Sequence, residues 1–111
     1  MLMRLQNIQS KELAKMRSQR VFLLLAETFQ AMGDSSRIQI VWALSRGEQS
    51  VTALAQMLDI SQPAVSHHLR TLRNLKLVHV RRQGKTSFYS LDDQHIENLL
   101  IEGLKHVEDL I

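Results

Sequence analysis

SQPAVSHHLRTLRNL, residues 61–75, is the stretch that decides the fold. Ser61 is a residue type that caps helices, and Pro63 two positions later suits a first helical turn, where its missing N–H costs nothing. Val65, Leu69 and Leu72 recur at helical spacing and form one apolar side. Gln62, Ser66, His67, Arg70 and Arg73 are left to face outward. Upstream, Ser50 precedes a shorter amphipathic stretch, VTALAQMLD (51–59), separated from Ser61 by a tight connection. Two such helices with a short turn between them predict a helix-turn-helix.

Downstream, LVHVRRQGKTSFYSL (77–91) changes period. Val78 and Val80 alternate with polar neighbours, as do residues 87–91, and Arg82, Gln83, Gly84 and Lys85 are expected to form the bend. A helix-turn-helix followed at once by a basic hairpin predicts a winged helix. The electrostatics agree. Residues 60–91 hold six of the fourteen Lys and Arg residues (Arg70, Arg73, Lys76, Arg81, Arg82 and Lys85) and no acid, which is +6. The other eight cations face eleven acids elsewhere, a balance of −3, so the overall +3 hides one confined basic region. Such a patch is the footprint of a polyanion surface, because neutralised phosphates release their counterions. The N-terminal polar residues of the second helix, Ser61, Gln62, Ser66 and His67, are placed to meet base edges. Arg70 and Arg73, with Arg81, Arg82 and Lys85 of the wing, are placed to meet the backbone of double-stranded DNA.

Toward the N-terminus, Asp34 or Ser35 can cap a helix whose apolar residues include Ile38, Ile40, Val41, Ala43 and Leu44. Before it, VFLLLAETFQAM (21–32) predicts a buried helix ending at Gly33. Phe22 and Trp42 are expected to pack in the core or in a dimer interface. Residues 1–20 are polar and helix-permissive, and are read as an N-terminal helical arm preceding a winged-helix DNA-binding and dimerisation domain over 21–111.

The last segment, DQHIENLLIEGLKHVED (93–109), is an amphipathic helix with Ile96, Leu99, Leu100, Leu104 and Val107 along one side. It also carries four metal-ligating side chains: Asp93, His95, His106 and Asp109. His95 and His106 lie eleven residues apart, about 16 Å along a helix axis, so one chain cannot bring them to a shared ion. Asp93 and His95 can converge at the helix start, where an N-cap has non-helical angles, and His106 and Asp109 form an i, i+3 pair. Two antiparallel copies of the helix in a homodimer would complete two sites. Two imidazoles and two carboxylates suit a tetrahedral zinc ion, Zn(II), or Co(II). With no Cys in the chain, thiolate ligands and disulfides are excluded, which fits a reducing cytoplasm. No apolar run has the length of a membrane span, and the N-terminus lacks a signal-peptide core. No nucleophile, Gly-rich loop or concave scaffold points to an enzyme acting on a small organic substrate.

AMGDSSRIQIVWAL (31–44), SQPAVSHHLRTLRNLKLV (61–78) and RRQGKTSFYSLDD (81–93) together resemble the ArsR/SmtB family of winged-helix metal-sensing repressors. The resemblance spans about residues 22–110. It implies a mainly α (α+β) fold, with about five helices and a two-stranded β-hairpin wing. It also implies a homodimer formed through the first and last helices, operator binding without metal, and release when metal binds. The family's zinc and cobalt sensors carry DxH, then HxxE, HxxD or HxxH, on the last helix, and Asp93, His95, His106 and Asp109 fill that pattern. By position, the ligand His106 would reach the Lys76 carbonyl after the recognition helix and couple metal to DNA. Two departures stand out. The final ligand is Asp109 where Glu or His is more usual, and Pro63 occupies a position that is polar in some relatives. The rival reading is a regulator of the same family whose last helix only dimerises and which answers a non-metal signal.

Overall fold

The computed structural model describes residues 18–111, so all but the last three residues of the arm expected over residues 1–20 lie outside it. Five helices and three short strands follow in order: α1 (Gln19–Met32), α2 (Ser35–Ser45), β1 (Gln49–Ser50), α3 (Val51–Leu58), α4 (Gln62–Asn74), β2 (Val78–Gln83), β3 (Thr86–Leu91) and α5 (Gln94–Glu108). No helix among the described residues is long and apolar enough to cross a membrane.

Local chemistry sets the helix starts. Asp34 accepts from the Arg37 amide, Ser50 from Ala53, Ser61 from Ala64 and Asp93 from Ile96. In each case a side-chain oxygen satisfies a backbone N–H that has no partner within its helix. Asp34, not Ser35, is thus the cap of α2. Helix α3 ends on Asp59, which takes a left-handed conformation (φ 55°) and makes the sharp turn into α4.

The core is built where α2, α3 and α4 meet beneath the sheet. Ile40, Val41, Leu54, Val65, Leu69 and Leu72 are fully buried, with Leu77, Val78, Ile96 and Leu100 around them. Each such aliphatic side chain contributes about 1.5–3 kcal/mol by leaving water. The spacing of Val65, Leu69 and Leu72 therefore does what periodicity predicts: it pins one side of α4 to the core and turns the opposite side outward.

The wing differs from expectation in two respects. The sheet has three strands, ordered β1-β3-β2 and antiparallel throughout, because the two-residue β1 pairs Gln49 with Tyr89 and Ser50 with Phe88. A two-residue strand has no periodicity to read, so the sequence offers only a hairpin. The bend is also tighter, since Arg82 and Gln83 belong to β2 and pair with Ser87 and Thr86. Only Gly84 and Lys85 remain to turn the chain. Gly84 alone of the two has positive φ (63°), which belongs to a two-residue turn with glycine first.

The expectation of a buried helix over residues 21–32 does not hold among the described residues. Only Ala31 and Met32 of α1 are buried, while Val21, Phe22, Leu23, Leu24, Leu25 and Phe29 are 44–62% exposed. Trp42 is exposed as well, beneath the guanidinium of Arg46. On α5 the same division appears: Ile96 and Leu100 pack inward, and Leu99, Leu104 and Val107 stand open. Apolar patterning shows that a face must be covered, but it does not say which chain covers it.

Candidate nucleic-acid interface and metal half-sites

Helix α4 presents the predicted polar face. Gln62, His67, Arg70 and Arg73 are exposed, and Ser66 is half-buried at the margin of the core side. Ser61 is exposed too, but its hydroxyl accepts from Ala64 N–H at 3.2 Å, so its first task is to cap the helix. His67 and His68 diverge. His67 faces solvent, while His68 is half-buried and sets its Nδ1 3.5 Å from Arg37 Nη1.

Arg37 is a residue the sequence reading missed. Its Nε donates to the Ala31 carbonyl at 2.6 Å near the end of α1, and its amide donates to Asp34. It thus ties α1 to the start of α2 and reaches across to α4. The Arg37 amide, opposed by some desolvation and helped by the Arg37 and His68 charges, holds the Asp34 carboxyl below its ordinary range. Thirty-one residues separate Arg37 from His68, so no local signal could have paired them.

On the wing, Arg82 and Lys85 are exposed and form no ion pair among the described residues. Arg81 is different. Its guanidinium donates to both carboxylate oxygens of Glu48, Nη2 to Oε1 at 2.7 Å and Nε to Oε2 at 3.1 Å. It also donates to Gln83 and lies 5.0 Å from the centre of the Phe88 ring. The bidentate bond holds the Glu48 carboxyl below its ordinary value and raises Arg81 above its own.

Helix α4 ends in a way that matters for Lys76. The Lys76 amide donates to Arg73 and the Leu77 amide to Leu72, the paired bonds of a Schellman close, with Lys76 itself left-handed at φ 57°. The Lys76 carbonyl accepts no hydrogen bond from any described residue.

The four ligand candidates of α5 sit in two separate pairs. At its start, Asp93 Oδ1 accepts from Ile96 N–H at 3.2 Å and lies 3.5 Å from His95 Nδ1, so the non-helical cap does bring these two together. At its end, His106 occupies the last turn and Asp109 the C-cap, both exposed. Among the described residues no group of three or more His, Asp or Glu side chains gathers in one place. One straight helix holds its two ends apart. His79 belongs to neither pair. It bridges Asp92 through Nδ1 at 3.4 Å and Ser90 through Nε2 at 2.9 Å, fastening β2 to the segment that leads into α5. Between the two pairs, the open side of α5, the end of α1 and Ile38 of α2 line an apolar groove of about 420 Å³ that includes Phe29, Leu99, Leu104 and Val107.

The comparisons with known proteins agree with this architecture. Residues 34–80 match the family described as "Bacterial regulatory protein, arsR family". The chain is similar to the HTH-type transcriptional regulator NmtR of Mycobacterium tuberculosis, with 45% identity over 78% of this chain and 72% of that protein. It is 36% identical to the cadmium resistance transcriptional regulatory protein CadC homolog of Staphylococcus aureus, over 94% of this chain and 84% of the relative. Of two further curated relatives the chain spans 65% and 64% of the length. Among solved structures it resembles the homodimeric winged helix-turn-helix DNA-binding domain Mb0332 from Mycobacterium bovis. The TM-score is 0.74 at 26% identity, covering 83% of this chain and 87% of that one. The caps, the helix-turn-helix, the wing and these matches carry one conclusion: the chain belongs to the arsR family of bacterial regulatory proteins.

Proposed function

We propose that this protein is a metal-responsive transcriptional repressor: it binds operator DNA as a homodimer and is released when Zn(II), or Co(II), occupies a site shared between the two α5 helices. Members of the family are DNA-binding regulators and not enzymes, and the exposed polar face of α4 beside a basic wing supports a role of that kind here. The observation that carries the metal part is the division of α5. Asp93 and His95 stand 3.5 Å apart at one end, His106 and Asp109 share the other, and an open apolar face lies between. Apolar area of this extent on α1 and α5 favours a second copy as its cover.

In that dimer Asp93 and His95 of one protomer and His106 and Asp109 of its partner would hold the ion. The donor set of nitrogen and carboxylate oxygen fits a borderline ion. A bound zinc would supply a point of positive charge drawing the two ends together. The chain's own residues do the rest. His106 would offer its second ring N–H to the Lys76 carbonyl, whose freedom from other donors among the described residues supports this assignment. Lys76 closes the recognition helix, so a pull there shifts α4, and two α4 helices read adjacent half-sites only when spaced by about 34 Å.

A second reading is a regulator of the same family whose α5 only dimerises. It is favoured by Asp93 already serving as the N-cap of α5. Two measurements separate them. Equilibrium dialysis with Zn(II) should show one or two tightly bound ions per dimer in the first case and none in the second. Titration of the chain's own upstream DNA with and without Zn(II), Co(II) and Ni(II) should show release only in the first. Full release by saturating Zn(II) in His106→Ala would rule out the coupling through Lys76.

A further inference from the structure

Strand alternation divides the wing's cations between two faces. On β2, Val78 and Val80 point to the core side, so Arg82 follows them, while His79, Arg81 and Gln83 share the outer face. Arg81 lies directly across from Phe88, and Phe88 lies across from Ser50 of β1. One row therefore crosses the sheet from the wing to the cap of α3, and Glu48, immediately before β1, closes on its far end by the two-pronged bond to Arg81. The Nε–Nη2 edge of the guanidinium is taken by the Glu48 carboxylate, Nη1 is bonded to Gln83, and the guanidinium carbon sits over the Phe88 ring, 5.0 Å from its centre. Three of the five guanidinium N–H donors are thus occupied, and a phosphate approaching the other two would meet the negative charge of the Glu48 carboxylate beside them. Arg82 and Lys85 carry no such encumbrance among the described residues.

We propose that Glu48 is a positioning residue: it holds Arg81 as a strut between the entry to the helix-turn-helix and the wing. The wing then meets the DNA backbone through Arg82 and Lys85, and Arg81 makes no phosphate contact. The proposal rests on the DNA-binding reading above and revises the expectation that all three cations serve DNA. It also gives β1 a purpose. Two backbone pairings are a weak anchor, and the side-chain clamp beside them adds a second tie that orients the wing relative to α4.

The test is the salt dependence of binding to a labelled duplex of the chain's own upstream DNA, for the full-length protein and three variants. Each phosphate contact contributes about 0.9 to the slope of log affinity against log salt. Arg82→Gln should lower the slope by about that amount per protomer. Arg81→Met should leave the slope unchanged while weakening binding several-fold at every salt concentration. Glu48→Gln, which frees the guanidinium, should raise the slope. An Arg81→Met slope that falls as far as that of Arg82→Gln would overturn the proposal. A Glu48→Gln variant with wild-type slope and affinity would do the same. Amide exchange at Gln49 and Tyr89, measured without DNA, reads the strut by itself. Both single variants should speed it, and the double variant should add nothing, whereas additive effects count against the clamp. A wild-type chain showing no salt-dependent duplex binding would instead overturn the repressor reading, and the exchange data would still decide whether the strut exists.

Discussion

The Leu77 amide donates to the Leu72 carbonyl at 3.0 Å, which closes α4 around a left-handed Lys76. Glycine is the usual residue at such a close because a side chain crowds the backbone there, at a cost of about 1–2 kcal/mol. Lys76→Gly should therefore stabilise the fold by about 1 kcal/mol. Lys76→Ala, which keeps the Cβ, should change stability little. Urea denaturation of the two variants checks the pair.

Asp93 caps α5, and in the proposed metal site it would have a second role that a single substitution can separate from the first. Its carboxylate caps α5 through Ile96 N–H and faces His95 Nδ1. Asp93→Asn keeps a capping oxygen, so stability should hold within about 0.5 kcal/mol, while Zn(II) affinity should drop at least tenfold. Asp93→Ala should lose the affinity and about 1 kcal/mol of stability as well. Calorimetric titration beside thermal melts distinguishes capping from coordination.

The open faces of α1 and α5 should respond to charge as an interface does. Leu104, 39% exposed within one chain, lines the groove shared with Phe29 and Val107. Leu104→Glu should leave the helical content of the monomer intact and abolish the dimer, read by sedimentation equilibrium. A surface that served no partner would tolerate the change with no shift in mass.

Leu69 gives the complementary control. It is fully buried in α4, so Leu69→Ala should cost about 2–5 kcal/mol through lost transfer energy and the cavity left behind. Arg73→Ala, one turn further and exposed, should leave stability unchanged and weaken duplex binding in a salt-dependent way. Denaturant curves and binding isotherms on the same preparations compare them.

Asp34 supplies a pH dependence. Its carboxyl, bonded to the Arg37 amide, lies below its ordinary value of 3.8, so the folded chain resists protonation more than the unfolded one does. The stability it contributes is complete above that ordinary value and is lost as the pH falls through the lower folded value. The difference in melting temperature between wild type and Asp34→Ala should accordingly be constant near neutrality and shrink in acid below about pH 4. A difference that grew in acid would contradict the assignment.

What could be read from the sequence was whatever is encoded over a few residues. Asp34, Ser50, Ser61 and Asp93 cap helices by reaching a backbone N–H three positions on, a relationship local enough to show in the order of residues. The apolar spacing of Val65, Leu69 and Leu72 and the alternation of residues 78–91 are local in the same sense. The convergence of Asp93 with His95 followed from the cap, and the inability of one helix to join its two ends followed from helix pitch.

Tertiary structure alone decided the rest, because it depends on groups far apart in the chain. Thirty-three residues separate Glu48 from Arg81, and thirty-one separate Arg37 from His68, so neither contact leaves a mark in spacing or composition. The third strand exists only because β3 passes beside two residues with no strand character of their own. The burial of α1 shows the limit most clearly. Its run of Val, Phe and Leu signals that water must be excluded, yet packing among the described residues buries only Ala31 and Met32 of this helix. Hydrophobicity is non-directional, so a sequence states how much surface must be hidden, and three-dimensional packing determines what hides it.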